Sequence, residues 1–427
     1  MKKTLFITMI AAALMGGQVF ADYIPTTTDA NKEDDTFYVG EYSETDDVSR
    51  ANVTINEETE GGDDFTNSVI MAGSTTGEGK TASHNSITMT GGQVGDAYGG
   101  SSQSGKAEYN TATMTGGIAV QFYGATSVSG VVTNNAATAS GGDVTSLYGG
   151  MSQSGDVSNN TASVSAGRIY AVYGGQSWSG NATNNTVTVS GGQVDTVCGG
   201  YSISGNANGN TVVLSGGAVE GNLIAGGGRT GASDNHVYLV GKGASAVIGG
   251  QTYTGSDQGV TVGGWVAASQ VRDGATTTGN SIEIYGTGIT AGSLGYMQKL
   301  NFHIADGVLL SQEAMVSLTS TSEGLDLTGV EIGFNGDAVQ DWGKYEGQSI
   351  TLVTAAMAIT VGEGSMGEVE IKGADGATVA TATLELGGSN DVLSLSNIKG
   401  VTPVPEPTTG ALGLLALAGL CIRRRRK

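Results

Sequence analysis

The sequence predicts an all-β fold, a parallel β-helix (β-solenoid) of 25-residue coils, and three observations carry that prediction. Asparagine recurs at 85, 110, 135, 160, 185, 210 and 235, always at the same step. Around each Asn, apolar residues alternate with Ser and Thr, as in Thr186-Val187-Thr188-Val189-Ser190, the pattern of a short strand with one apolar face. Glycine supplies 72 of 427 residues and repeatedly falls in pairs between such segments.

The N-terminus comes first. Lys2 and Lys3 precede an apolar run from Leu5 to Met15, and Val19-Phe20-Ala21 forms a small-x-small site with cleavage between Ala21 and Asp22. The run is shorter than the roughly 20 residues that span a bilayer, so residues 1–21 read as a secretory signal for the Sec export machinery. Cys421 lies in the C-terminal apolar tail and Cys198 stands alone in the body, so no intrachain disulfide is expected. Residues 22–66 are acidic (Glu33-Asp34-Asp35, Asp46-Asp47, Glu57-Glu58) and read as a lead-in or cap over the first coil.

The repeat body spans 67–298. Two residues after each Asn come Ile87, Ala112, Ala137, Ala162, Val187, Val212 and Val237; four after it come Met89, Met114, Ala139, Val164, Val189, Leu214 and Leu239. A glycine corner follows, then an apolar segment running to Tyr98, Tyr123, Tyr148, Tyr173, Cys198, Leu223 and Ile248, then a Ser-x-Ser-Gly turn such as Ser102-Gln103-Ser104-Gly105. One unit is too short to hold a core, but units stacked in register bury a continuous ladder of equivalent side chains. An antiparallel sandwich would give no reason for identity locked to one period. Stacked coils put the asparagines in a hydrogen-bonded column, and seven coils at about 4.8 Å each make a section roughly 35 Å long. Degenerate copies run from Val260 to about 298. Residues 299–400 are β-rich without the period and are expected to form a C-terminal β cap domain closing the rod's end.

Charge excludes one partner class. Acids outnumber bases 40 to 19, and seven of the bases sit at the two chain ends. The other 12 are scattered, so the basic patch that nucleic acid requires is missing.

The last segment, 401–427, carries the most specific signal. Val404-Pro405-Glu406-Pro407 precedes a 13-residue apolar stretch from Gly410 to Ile422, expected as a terminal helix, and then Arg423, Arg424, Arg425, Arg426 and Lys427. An apolar segment ending in a cationic cluster inserts into a membrane with its charges held at the cytoplasmic face. These three parts, in this order, resemble the bacterial PEP-CTERM sorting signal. The resemblance implies export, transient retention at the inner membrane and cleavage near Pro405-Glu406-Pro407 by an exosortase-type enzyme. It also implies a protein associated with the cell surface, outer membrane or extracellular matrix, with exopolysaccharide or host glycans as partners. The repeat body, separately, is similar in architecture and texture to autotransporter-passenger and adhesin solenoids.

Two candidate sites follow from the stacking. Asp195 and Glu220 stand one repeat apart and hence side by side, where two carboxylates could act on a glycoside. Their phase-mates Tyr170 and Ser245 supply no base, and His84, His236 and His303 fall in other phases or outside the repeat, so a polysaccharide lyase or hydrolase is the weaker reading and no catalytic site is expected. Tyr98, Tyr123, Tyr148 and Tyr173 form the other candidate. Exposed, four stacked rings would bind sugars. Buried, they would be a packing ladder, which the apolar residues that succeed them in phase favour. Neither a cofactor nor a metal is expected, and a non-enzymatic structural or adhesive role is.

Overall fold

The computed structural model describes residues 37–55, 65–272, 274–311 and 313–401. The signal segment with Ala21 and Asp22, the lead-in before Phe37, and the tail with its Val404–Pro407 element, expected terminal helix and Arg423–Arg426 lie outside the described residues.

A β-solenoid of about ten turns results, its regular structure nearly all strand. Each repeat coil has three strand segments. In the coil of Asn85 they are Ser86–Met89, Gln93–Ser102 and Ala107–Glu108. Three later coils fuse the first two segments into bent strands, Ala136–Ser152, Thr161–Ser177 and Thr186–Ser202. Pairing between coils is parallel and keeps the step of the repeat, as in Thr111↔Ala136, Ala136↔Thr161, Thr161↔Thr186 and Thr186↔Thr211.

Side-chain alternation sends one set of residues inward. Ile87, Met89, Val94 and Ala97, with their counterparts up the rod, are buried in one continuous core. Volume balances within a coil: where Ala112 and Ala119 are small, Phe122 is large, and all three share that core. In the first strand segment of each coil the alternating Ser and Thr, as at Thr186 and Thr188, lie on the outer face.

Backbone conformation fixes two corners. The residue before each core Asn has positive φ, from His84 (57°) and Tyr109 (56°) through Asn134, Asn159 and Asn184 to Gly209, Asp234 and Gly279. Asn, Asp and Gly tolerate this left-handed region best, which explains their recurrence there. At the other corner the second glycine of the pair is the required one. Gly92, Gly117, Gly142, Gly167, Gly192 and Gly217 all have φ between 77° and 94°, whereas the first position accepts Ala166.

The predicted asparagine column is present and fully bonded. The Asn110 amide Nδ2 donates to Asn135 Oδ1 (3.0 Å) and to the Ala82 carbonyl (2.9 Å), while the Asn110 backbone N–H donates to the same Asn135 oxygen (2.8 Å). The next rungs repeat this, and all seven predicted asparagines are buried. The column also extends beyond them. Asn280 Oδ1 accepts from Asn235, Gln298 Oε1 accepts from Asn280, and at the opposite end the Ala51 N–H donates to Asn85 Oδ1. Serines brace the third turn: Ser127 Oγ accepts from the Gly130 N–H (2.9 Å) and donates to the Gly105 carbonyl one coil earlier (3.2 Å).

Two boundaries and one column member differ from those expected. The solenoid begins before residue 67, because Phe37–Ser43, Val48–Ser49 and Asn52–Ile55 already form a coil paired in parallel with the next one. Asn52 there pairs with Ser86, a longer step than the repeat's, so the extra length before Phe65 hides the phase.

The parallel coils also run past 298. Lys299–Ala305 pairs in parallel with Ser281–Tyr285 and with Glu331–Ala338, and Leu325–Leu327 pairs in parallel with Ile359–Val361. Antiparallel closure involves Gly367–Lys372, Thr378–Leu386 and Val392–Gly400, the last lying against Ile350–Ala355. A returning strand satisfies the open edge that a parallel coil leaves, so the closing unit starts well after 299.

Finally, Ile248 does not continue the tyrosine column. It belongs to an antiparallel hairpin, Ser245–Ile248 with Gln251–Thr254, inserted between coils. One extra residue near Glu220 shifts Leu223 into the core and places Ile224 opposite Cys198.

Candidate functional site

The tyrosine rings stack as the register of the repeat requires. Tyr98, Tyr123, Tyr148 and Tyr173 have successive ring centroids 4.6, 4.7 and 5.1 Å apart with planes within 9° of parallel. Tyr98 and Tyr123 are each only 2% exposed, and they pack with Met71 and Met151 in an apolar cluster separate from the main core. Of the two alternatives for these rings, the burial of Tyr98 and Tyr123 is that of a packing ladder, and their faces are closed to a sugar. Burial drives the Tyr98 and Tyr123 hydroxyls well above the usual phenol range. The Tyr98 hydroxyl donates to Asp96 Oδ2 (3.1 Å), that of Tyr123 to Gln121. Asp96 is pushed up to about 6 by burial, which the Tyr98 hydrogen bond only partly offsets. Further along, buried Cys198 takes the ladder position, and burial raises its thiol to about 12, so it is no nucleophile at neutral pH.

Asp195 and Glu220 do come together. Both line a shallow groove of about 300 Å³ on the outer face of the second strand segment, with Asp143, Thr145, Arg168, Tyr170 and Gln193. The expected lack of a basic residue beside the acids is corrected here. Arg168 stands two positions before Tyr170 on the same strand, and in a period-two strand both point outward. Ser245, the other expected phase-mate, lies in the inserted hairpin instead.

A second polar constellation escaped the sequence reading. Glu283 Oε1 accepts from Ser281 Oγ (2.7 Å) and Asn301 Nδ2 (2.9 Å), and its Oε2 meets His303 Nε2 at 2.9 Å. His236 Nδ1 lies 2.9 Å from Ser281 Oγ, and the His303 ring stacks on Tyr285 with centroids 3.8 Å apart. Burial works to raise the Glu283 carboxyl, but bonds from His303, Ser281 and Asn301 outweigh it and hold the group below the usual carboxylate range. Two of the three histidines thus join one carboxylate's network across the registers His236↔Ser281 and Ser281↔Lys299, steps that a phase count at the repeat's own period cannot reveal. The bonds run between residues of successive coils, so this cluster ties coils together. Among the described residues no group of His, Cys, Asp or Glu is arranged to hold a metal ion.

The C-terminal segment speaks to cellular handling. Residues 403–427 match the PEP-CTERM protein-sorting motif. No curated protein and no solved structure matches the chain. The PEP-CTERM motif implies an exported protein, sorted at the membrane and processed by exosortase-type machinery. Among the described residues no helix is long and apolar enough to cross a membrane.

Proposed function

We propose that this protein is a non-enzymatic structural or adhesive rod, exported through Sec, released near Pro405-Glu406-Pro407 and displayed on the cell surface or in the extracellular matrix, where it meets exopolysaccharide or host glycans. The supporting observation is the combination of the PEP-CTERM motif with an uninterrupted asparagine column running from Asn85 to Gln298. Such a column commits the coil interior to holding shape. Inward positions vary only among apolar residues, whereas outward positions change in charge and polarity from coil to coil, the arrangement of a scaffold presenting a surface.

Intact mass and fractionation from the host test this reading, using the natural chain and one lacking Arg423–Lys427. The expected product begins at Asp22, ends near Pro407 and is found at the surface or in the matrix. The truncated chain should keep its C-terminus or be mislocalised. A full-length C-terminus lodged in the inner membrane would overturn surface display, and depolymerisation of a polysaccharide by the purified rod would overturn the non-enzymatic role.

A further inference from the structure

We infer that the groove between Asp143 and Glu220 is a binding site for an uncharged pyranose glycan, with Tyr170 as its stacking platform. The inference rests on the adhesive reading above and gives it a location and a ligand class.

Three observations carry it. The first is departure from the repeat. Up one outward column run Ile118, Asp143, Arg168, Gln193 and Ala218, and up its neighbour Val120, Thr145, Tyr170, Asp195 and Glu220. Coil stacking repeats the Asn, Ser, Gly and apolar positions, whereas no packing requirement selects this succession of residue types. The second is the ring. Tyr170 is 64% exposed, in contrast to the buried Tyr98 and Tyr123 of the ladder on earlier coils. An aromatic face open to solvent beside polar groups suits the C–H face of a sugar, with hydroxyls left for the flanking side chains.

The third is charge. Arg168, Asp143, Asp195 and Glu220 share the groove, yet none forms an ion pair among the described residues. Anionic polymers would meet three carboxylates, and cationic ones, though drawn by the surplus of carboxylates, would leave the Arg168 guanidinium without an acceptor. A polyol alone offers donors to the carboxylates and acceptors to the guanidinium through the same hydroxyls. The lining residues come from four consecutive coils, roughly 15 Å at the usual strand spacing, which is room for a short oligosaccharide rather than a monosaccharide.

Isothermal titration of the mature rod with cellohexaose, laminarihexaose and mannohexaose, against oligogalacturonate and a chitosan oligomer, tests the inference. A neutral hexasaccharide should bind. Tyr170→Ala should weaken it by about fivefold or more, the loss expected for one stacked ring, and Arg168→Gln by a smaller factor. Both positions face solvent, so circular dichroism and thermal midpoints should match the unaltered rod. No binding of any neutral hexasaccharide, binding confined to the charged oligomers, or neutral-sugar binding unchanged in Tyr170→Ala would each overturn the inference. Those failures leave surface display intact when fractionation places the processed rod there. Failure of display would instead show in fractionation, with sugar binding retained in vitro.

Discussion

Two columns climb the same coils, one of asparagines and one of tyrosines, and they tolerate change very differently. The asparagine column keeps one residue type from 85 to 280 and ends on Gln298, whose side-chain oxygen supplies the acceptor the last rung needs. Its neighbour runs Met71, Tyr98, Tyr123, Tyr148, Tyr173, Cys198, Ile224 and Ala267. Each asparagine oxygen serves two donors of the previous coil, so replacing one rung strands buried polar groups on the rung before it. A tyrosine rung bonds at most to a side chain two residues back on its own strand, and between coils it fills space and covers its neighbours' faces, which a thioether, a thiol or a branched alkyl group also does. Directional bonding makes a ladder invariant, and dispersion makes it adaptable.

The largest expected effect breaks the first column. Asn160→Ala removes the acceptor for the Asn135 N–H and Nδ2 and leaves the Val132 carbonyl without its amide donor. The Asn135 N–H and the Val132 carbonyl are left unpaired at about 1–3 kcal/mol each, while the Asn135 Nδ2 keeps the Ala107 and Thr133 carbonyls, so the loss should be about 4 kcal/mol, read as a shift in urea midpoint. A loss below that of the tyrosine substitution described next would contradict the ranking of the two ladders.

In the second column, Tyr123→Ala opens a cavity between Tyr98 and Tyr148 and should cost about 3 kcal/mol, by analogy with other buried aromatic truncations. Tyr123→Met should recover much of it, since methionine already stands at position 71 of this column. No recovery would mean that the rings matter for more than volume.

A carboxylate beside the ladder sets a pH dependence. Asp96 titrates at about 6 in the fold against an ordinary 3.8. An acid raised in this way holds its proton longer when folded, so its contribution to stability is fully present below about 4 and is lost as the pH rises through 6. Asp96→Asn should therefore add about 2 kcal/mol at neutral pH and flatten the stability profile over that window, while changing little in more acidic solution. Unfolding midpoints between those limits measure it, and a profile unchanged by the substitution would place the titration elsewhere.

How far the sequence disclosed all this follows the same divide. Features imposed by stacking at a constant step were legible: the Asn column, the apolar positions, the glycine corners, the tyrosine register. Legibility failed wherever the step changed. The coil at 37–55 sits at the longer step Asn52↔Ser86, and Ile248 left the column because a hairpin intervenes before the next coil. The Glu283 cluster spans the unequal steps His236↔Ser281 and Ser281↔Lys299, one longer and one shorter than the repeat. Burial was a separate gap. Alternation tells which tyrosines share a column, but both Tyr98 and Tyr170 face away from the main core, and only the structure separates a ring at 2% exposure from one at 64%.

The smallest expected effect concerns the outward columns, where neither ladder logic applies. Asp195 and Glu220 project from an exposed strand face, and only Asp195 accepts a local side-chain bond, from Thr196 at 3.3 Å. Asp195→Asn combined with Glu220→Gln keeps shape and removes two negative charges from a chain of net charge −21. The urea midpoint should stay within about 0.5 kcal/mol of the unaltered rod, the usual range for surface positions free of packing or network duties. A loss approaching that of Tyr123→Ala would mean the groove carboxylates hold the coils together. Near-equality would leave them available to whatever the groove receives, because a residue that stacking does not select and stability does not need is free to answer to a ligand.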